Sequence, residues 1–306
     1  MSNRIFTQEE LDSFCRSGKT RVAEALATKD PKIALKEFEY VLDLFKQFPA
    51  LYHGWIPSLF SFLDKRYGHE ATKGLTNFEH VLSKSAASGM DLKAISATQE
   101  DPTKVFSEKL DKGDFEGAGL FFDQIDKGSR DLHDYYRDYV SYILSGIYRE
   151  YGVEILSESL RASSEKDWMP WMMEDIESEP SARLIMWSEL LSVANFGTIS
   201  IVEEDDRFVM TQNPCGSCGR AHREGRYDSD WGLATVKEKH RITYDEGGTP
   251  VYRSHIPMMH FIMPVERIGA PWPLIQCPRT KAGSCKITLF KDSRKPVPQT
   301  EAHFRD

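Results

Sequence analysis

Over residues 1–195 the apolar positions recur at helical spacing, and beyond them they alternate or cluster between glycines and prolines. Thr7 and Glu10 form a capping-box pair, after which Leu11, Phe14 and Cys15 fall on one helical face and make Cys15 a core position. Asp30-Pro31 supplies the cap and first turn of the next helix, with Ile33, Phe38, Val41, Leu42 and Phe45 as its apolar stripe. Pro57 marks either a helix start or a kink. Residues 83–101 are small and polar and read as a connector. A second break at 163–181 carries Trp and Met side chains that either pack on a neighbour or form a lip over a pocket. A last helix runs from Pro180 to Asn195 and stops at Phe196-Gly197.

The helical stretch repeats itself. Residues 51–71 align without gaps to 135–155, an offset of 84. Tyr52, Ser61, Tyr67, Gly68 and Glu70 are matched by Tyr136, Ser145, Tyr151, Gly152 and Glu154, and the same offset carries Asp30 to Asp114 and Phe38 to Phe122. Copies at about 30–75 and 114–160 imply a duplicated helix pair around a pseudo-twofold axis, with Tyr-Gly closing each long helix. Two copies are too few for a solenoid.

After residue 195 the pattern changes. Residues 198–212 alternate around Glu204-Asp205-Asp206 and predict a β-hairpin. Residues 249–269 mix β-branched and aromatic side chains with prolines, and with the strand 285–291 they complete a small, loop-rich module. The expected fold class is therefore α+β, mainly α: an acidic, internally duplicated helical region (1–195) followed by a Cys/His-bearing α+β module (196–306) packed on it. A module of that size commonly needs a metal or a partner surface to hold its shape.

Charge follows the same division. Residues 207–306 hold sixteen Lys and Arg against ten Asp and Glu, whereas residues 1–206 hold 23 against 37. The asymmetry either docks the halves on each other or draws an anionic ligand to the basic part. A pI near 5.7 and the acidic helical region argue against nucleic acid as partner. No window approaches 18 consecutive apolar residues, so no membrane span is expected, and acids occupy the first residues where a signal peptide would be apolar. The expected compartment is the reducing cytosol, where clustered cysteines hold metal or do chemistry more often than they pair.

Four of the five cysteines lie in the last third. Cys215-Gly-Ser-Cys218 follows a predicted strand and is flanked by glycines, as zinc knuckles are. Its further ligands must come from His222, His240, His255, His260, Cys277 and Cys285. Cys285 begins a strand and His255 sits at an element end, so the preferred set is Cys215, Cys218, His255 and Cys285; Cys277 in place of His255 gives an all-thiolate set. A closed set is structural, whereas an open one, with Cys218 released to act beside the metal, is catalytic. In the open case Glu266 is the candidate general base, and Arg220 and Arg253 are candidates to hold an anionic substrate. Metal-free readings are a redox pair favoured by Arg220, His222 and Arg223, or a tight turn with buried thiols. His133 and Arg137, one turn apart, could grip a ligand or lie on a helix surface. No Walker loop, dinucleotide fingerprint, nucleophile elbow or Glu-x-x-His pair occurs.

These signs point first to a zinc-dependent hydrolase acting on a small anionic molecule at the seam between the regions. A non-enzymatic interaction protein stapled by structural zinc, and a metal-free thiol enzyme using Cys215 or Cys218, are the alternatives.

Overall fold

A computed structural model describes residues 4–298 apart from Thr76, Ser229 and Arg279. Short helices α1 (Gln8–Phe14) and α2 (Gly18–Ala27) lead into α3 (Pro31–Phe45) and α4 (Gln47–Tyr67). Then come α5 (His69–Lys73), α6 (Phe78–Ala87), α7 (Leu92–Ala97) and α8 (Pro102–Asp111). The longest helix, α9 (Phe115–Asp167), is followed by α10 (Met169–Asp175) and α11 (Pro180–Glu189). The predicted caps form: Thr7 closes a capping box on α1, and Asp30 caps α3 with Pro31 in its first turn. Pro57 lies inside α4 rather than at its start. Residues 83–101, expected as a connector, instead carry the end of α6 and all of α7, which packs on α9. Small side chains there allow close helix contact, a composition that mimics a linker.

Two helical tracks, α3–α4 and the first part of α9, run side by side in the same direction. Phe38 meets Phe122 edge-on at 6.0 Å, Tyr52 lies parallel to Tyr136 at 6.0 Å, and Tyr67 stacks on Tyr151 at 4.2 Å. At the ends of these tracks, Gly68 (φ 83°, ψ 164°) and Gly152 (φ 80°, ψ −179°) adopt the same conformation, one that side chains oppose. Gly68 lets the chain turn from α4 into α5, and Gly152 kinks α9 into two helical segments.

The last third forms a four-stranded antiparallel sheet with β1 (Ile199–Glu203) and β2 (Arg207–Gln212) as the expected hairpin. Helix α12 (Cys218–Arg223) and the two-residue strands β3 (Thr235–Val236) and β4 (Thr249–Pro250) precede β5 (Leu274–Gln276) and β6 (Cys285–Phe290). The sheet order is β1-β2-β6-β5, and β3 pairs with β4 in a second, two-stranded sheet. Residues 251–268, expected to include a strand, are helical throughout: a 3₁₀ turn, α13 (His255–Pro257), a π turn (Met258–Ile262) and α14 (Met263–Ile268). Residues 250–264 are buried almost without a break, and a run apolar on every side carries no period to separate helix from strand. One hydrophobic core spans the two regions: Tyr52, Trp55, Val140 and Leu160 from the helices join Phe208, Trp272, Ile287 and Leu289 from the sheet side. No helix among the described residues is long and apolar enough to cross a membrane.

Candidate functional site

Sheet register brings the cysteines together. Gln212, at the end of β2, faces Cys285 at the start of β6, and Gln276, at the end of β5, faces Lys286. One further step along the β5–β6 register sets Cys277 opposite Cys285, while β2 runs directly into the Cys215–Cys218 loop. Strand ends far apart in sequence thus deliver four thiols to one edge of the sheet. The loop seats tightly: a side chain at Gly216 would put its Cβ 1.6 Å from the Asn195 carbonyl oxygen.

The four side chains are buried. Cys215 and Cys218 Sγ are 4.0 Å apart. Cys285 interacts electrostatically with Cys215, Cys218 and Cys277, and Cys218 also with Cys277. Those contacts, from Cys218 and then Cys285, hold the Cys277 thiol well below its ordinary range, and Arg253 reinforces them. Contacts with Cys215, Cys218 and Cys277 push the Cys285 thiol well up, so one proton-bearing sulfur supports its neighbours' charge. The sulfurs gather at one place, but among the described residues no three or more His, Cys, Asp or Glu side chains are set around a point as a ready cation cage.

Of the other candidates, His255 adjoins Cys215 and borders the same space, with its Nδ1 donating to the Tyr252 carbonyl. Arg253 lies beside the thiols, donates to the Pro278 carbonyl at 2.5 Å and contacts His222 Nδ1 at 3.4 Å. Arg220 is turned away into a buried ion network, where Asp134 accepts from it and from Arg137. His133 Nδ1 lies 2.9 Å from the same carboxylate. Burial alone would raise Asp134, but Arg137, His133 and Arg220 hold it well below the usual carboxylate range. Arg137, completely buried, also binds Asp138 at 2.8 Å and reaches the Ser217 carbonyl, tying α9 to the cysteine loop. Arg220 therefore serves the docking of the two regions, whereas Arg223 donates to the Cys215 carbonyl within the loop. Glu266 sits on the surface in a two-pronged pair with Arg161.

Beside the thiols lies a cavity of about 90 Å³ enclosed between the regions. Phe48, Tyr52, Trp55, Trp168 and Trp187 from the helices and Ile275 and Ile287 from the sheet make most of its wall. Its polar side chains include Tyr52, Trp168, Asn195, Gln212, Ser217, Tyr252, His255 and His260 as well as the cysteines, and among the described residues no Lys, Arg, Asp or Glu lines it. Tyr52 and Tyr252 join their hydroxyls at 2.8 Å. His260 Nδ1 donates to the Trp272 carbonyl at 2.7 Å, leaving the Nε2 lone pair free to accept. Burial pushes the two imidazoles down to about 3 for His255 and about 4 for His260, so both are neutral near pH 7. Both π turns, Leu190–Ala194 and Met258–Ile262, supply residues to this wall. A wider groove of about 560 Å³ lies on the far side of Cys277 and Ile256 and includes Lys239, Gly247, Gly248 and Arg253.

Sequence reasoning named the cysteines and His255 but missed Asn195, Tyr52 and Trp187. The repeated Tyr52/Tyr136 pair and the Trp-Met run at 163–181 were the available signals, since Trp168 proves to face the cavity. No family model, curated protein or solved structure matches the chain.

Proposed function

We propose that the chain holds one zinc ion through Cys215, Cys218, Cys277 and Cys285, and that this ion fixes the C-terminal module as one wall of a small-molecule site. The observation that carries this reading is the convergence of four buried thiols, with Cys215 and Cys218 4.0 Å apart and Cys277 and Cys285 close enough to shift their ionisation. Sulfurs at Zn–S distances of ~2.3 Å on a tetrahedron stand about 3.8 Å apart, close to the 4.0 Å between Cys215 and Cys218. Arg253 offsets part of the negative charge that four thiolates would carry. The all-thiolate set is thus favoured over the one containing His255, which is left as a cavity residue beside the metal.

A closed set leaves no position for water, so in this reading the metal is structural. The hydrolytic reading needed an open position and Glu266 as base, and the pairing of Glu266 with Arg161 on the surface lends it no support. The ring contacts at an offset of 84 and the matching Gly68 and Gly152 conformations favour duplication as the origin of the helical tracks. In that reading the duplicated helices are the scaffold and the zinc module is the closure.

The test is metal content per chain in protein purified without chelator. About one zinc per chain is expected, lost in Cys277→Ser and Cys285→Ser and retained in His255→Gln. Loss in His255→Gln with retention in Cys277→Ser would restore the mixed set, and absence of metal from the wild type would refute the proposal.

A further inference from the structure

Two side chains that line the cavity each carry a buried polar atom without a partner. Asn195, 6% exposed, has its Oδ1 buried with no hydrogen bond, and Trp168, 8% exposed, has its Nε1 in the same condition. Both side chains line the cavity. Buried polar atoms are nearly always paired, and an orphan acceptor and an orphan donor on two side chains of one cavity lining point to something that pairs them. His260 adds a third opportunity, because its Nδ1–H is already spent on Trp272 and its Nε2 is an acceptor. The rest of the wall is largely aromatic and aliphatic, and among the described residues no Lys or Arg reaches it. An anion entering there would lose its water with no positive charge to replace it.

We propose that this cavity is a preformed binding site for a small uncharged molecule that carries both a hydrogen-bond donor and an acceptor on an apolar body, such as a short primary amide or an azole. Its N–H groups reach Asn195 Oδ1 and His260 Nε2, and its acceptor takes the Trp168 indole N–H. The volume suits a ligand of about four to six non-hydrogen atoms, smaller than the benzene held by a 150 Å³ cavity. Ile256 and Cys277, the two residues common to the outer groove and the cavity, form the partition between them. This inference rests on the seam site proposed above but names its ligand class, and it departs from the anionic substrate expected from sequence.

Three molecules of equal size make the test: propionamide, propionate and 2-butanone, titrated into the zinc-loaded protein at pH 7. Trp55, Trp168 and Trp187 on the wall report binding through tryptophan emission, and metal content is measured on the same sample. Propionamide is expected to bind saturably with a dissociation constant on the order of millimolar, as befits so few atoms. Propionate is expected at least tenfold weaker, and 2-butanone, which lacks the donor, is expected to lie between. Asn195→Leu, close in shape, should weaken propionamide about tenfold and leave 2-butanone unchanged. Propionate binding as well as propionamide overturns the inference, and so does a zinc-loaded wild type that binds no propionamide. Propionamide binding to protein found to contain no zinc upholds the ligand class while refuting the zinc assignment, which keeps the two failures apart.

Discussion

At the scale of single residues, the molecule separates buried charge that is paired from buried polarity that is not. Asp134, Arg137, Asp138 and Arg220 pair with one another across the seam, whereas Asn195 and Trp168, which line a cavity with His260, each keep a buried polar atom without a partner. The cysteines were legible in the sequence because their spacing is itself a signal. Asn195 was not, since an asparagine at a helix end is ordinarily a cap, and only the packing shows its oxygen unpaired. His260 carries a pH prediction. Burial sets its folded value near 4 against an ordinary 6.5, so the unfolded chain takes up the proton first as pH falls. Its contribution is intact above pH 6.5 and is lost between 6.5 and about 4, to a total of about 3 kcal/mol. Urea unfolding of wild type and His260→Gln at several pH values in that window should give a shallower acid slope for the variant, by up to ~1.4 kcal/mol per pH unit. Parallel slopes would show that His260 is not held neutral by burial.

Among the elements, the two helical tracks are governed by how they end. Gly68 and Gly152 occupy a backbone region nearly closed to other residues, and Tyr67 and Tyr151 stack immediately before them. Gly152→Ala should therefore destabilise the protein by ~1–3 kcal/mol in denaturant unfolding. Gly74→Ala is the control: its φ of −69° suits any residue and nothing lies within 4 Å of an added Cβ, so a change near zero or a slight gain is expected. Equal effects at the two positions would remove the conformational argument. Helix boundaries were readable where caps existed, as at Thr7 and Asp30. At 251–268 the expectation of strand failed because burial on all sides erased the amphipathic period.

On the scale of the whole molecule, the helices and the sheet share a core, and the proposed zinc sits where they meet. Removing it with a chelator should lower the thermal midpoint by roughly 10 °C or more, because metal binding to a folded site is folding free energy. Emission from Trp168, Trp187 and Trp272 should shift to the red as the module loosens from the helices they pack against. A chelated protein with unchanged midpoint and emission would mean that the thiols hold the module by packing alone.

By itself the sequence determined the helical caps, the first hairpin, the 84-residue periodicity and the cysteines worth watching. All of these are local or repetitive features that spacing can encode. Tertiary structure alone decided which thiols meet, because the register of β5 on β6 sets Cys277 beside Cys285 in a way that no linear spacing reveals. It also decided that Arg220 faces Asp134 and that Glu266 faces Arg161, since a charge finds its partner through the fold. The cavity belongs wholly to that level. It is the space left where Trp55, Trp168, Trp187, Asn195 and His260, brought from four distant stretches of chain, stop short of filling the seam.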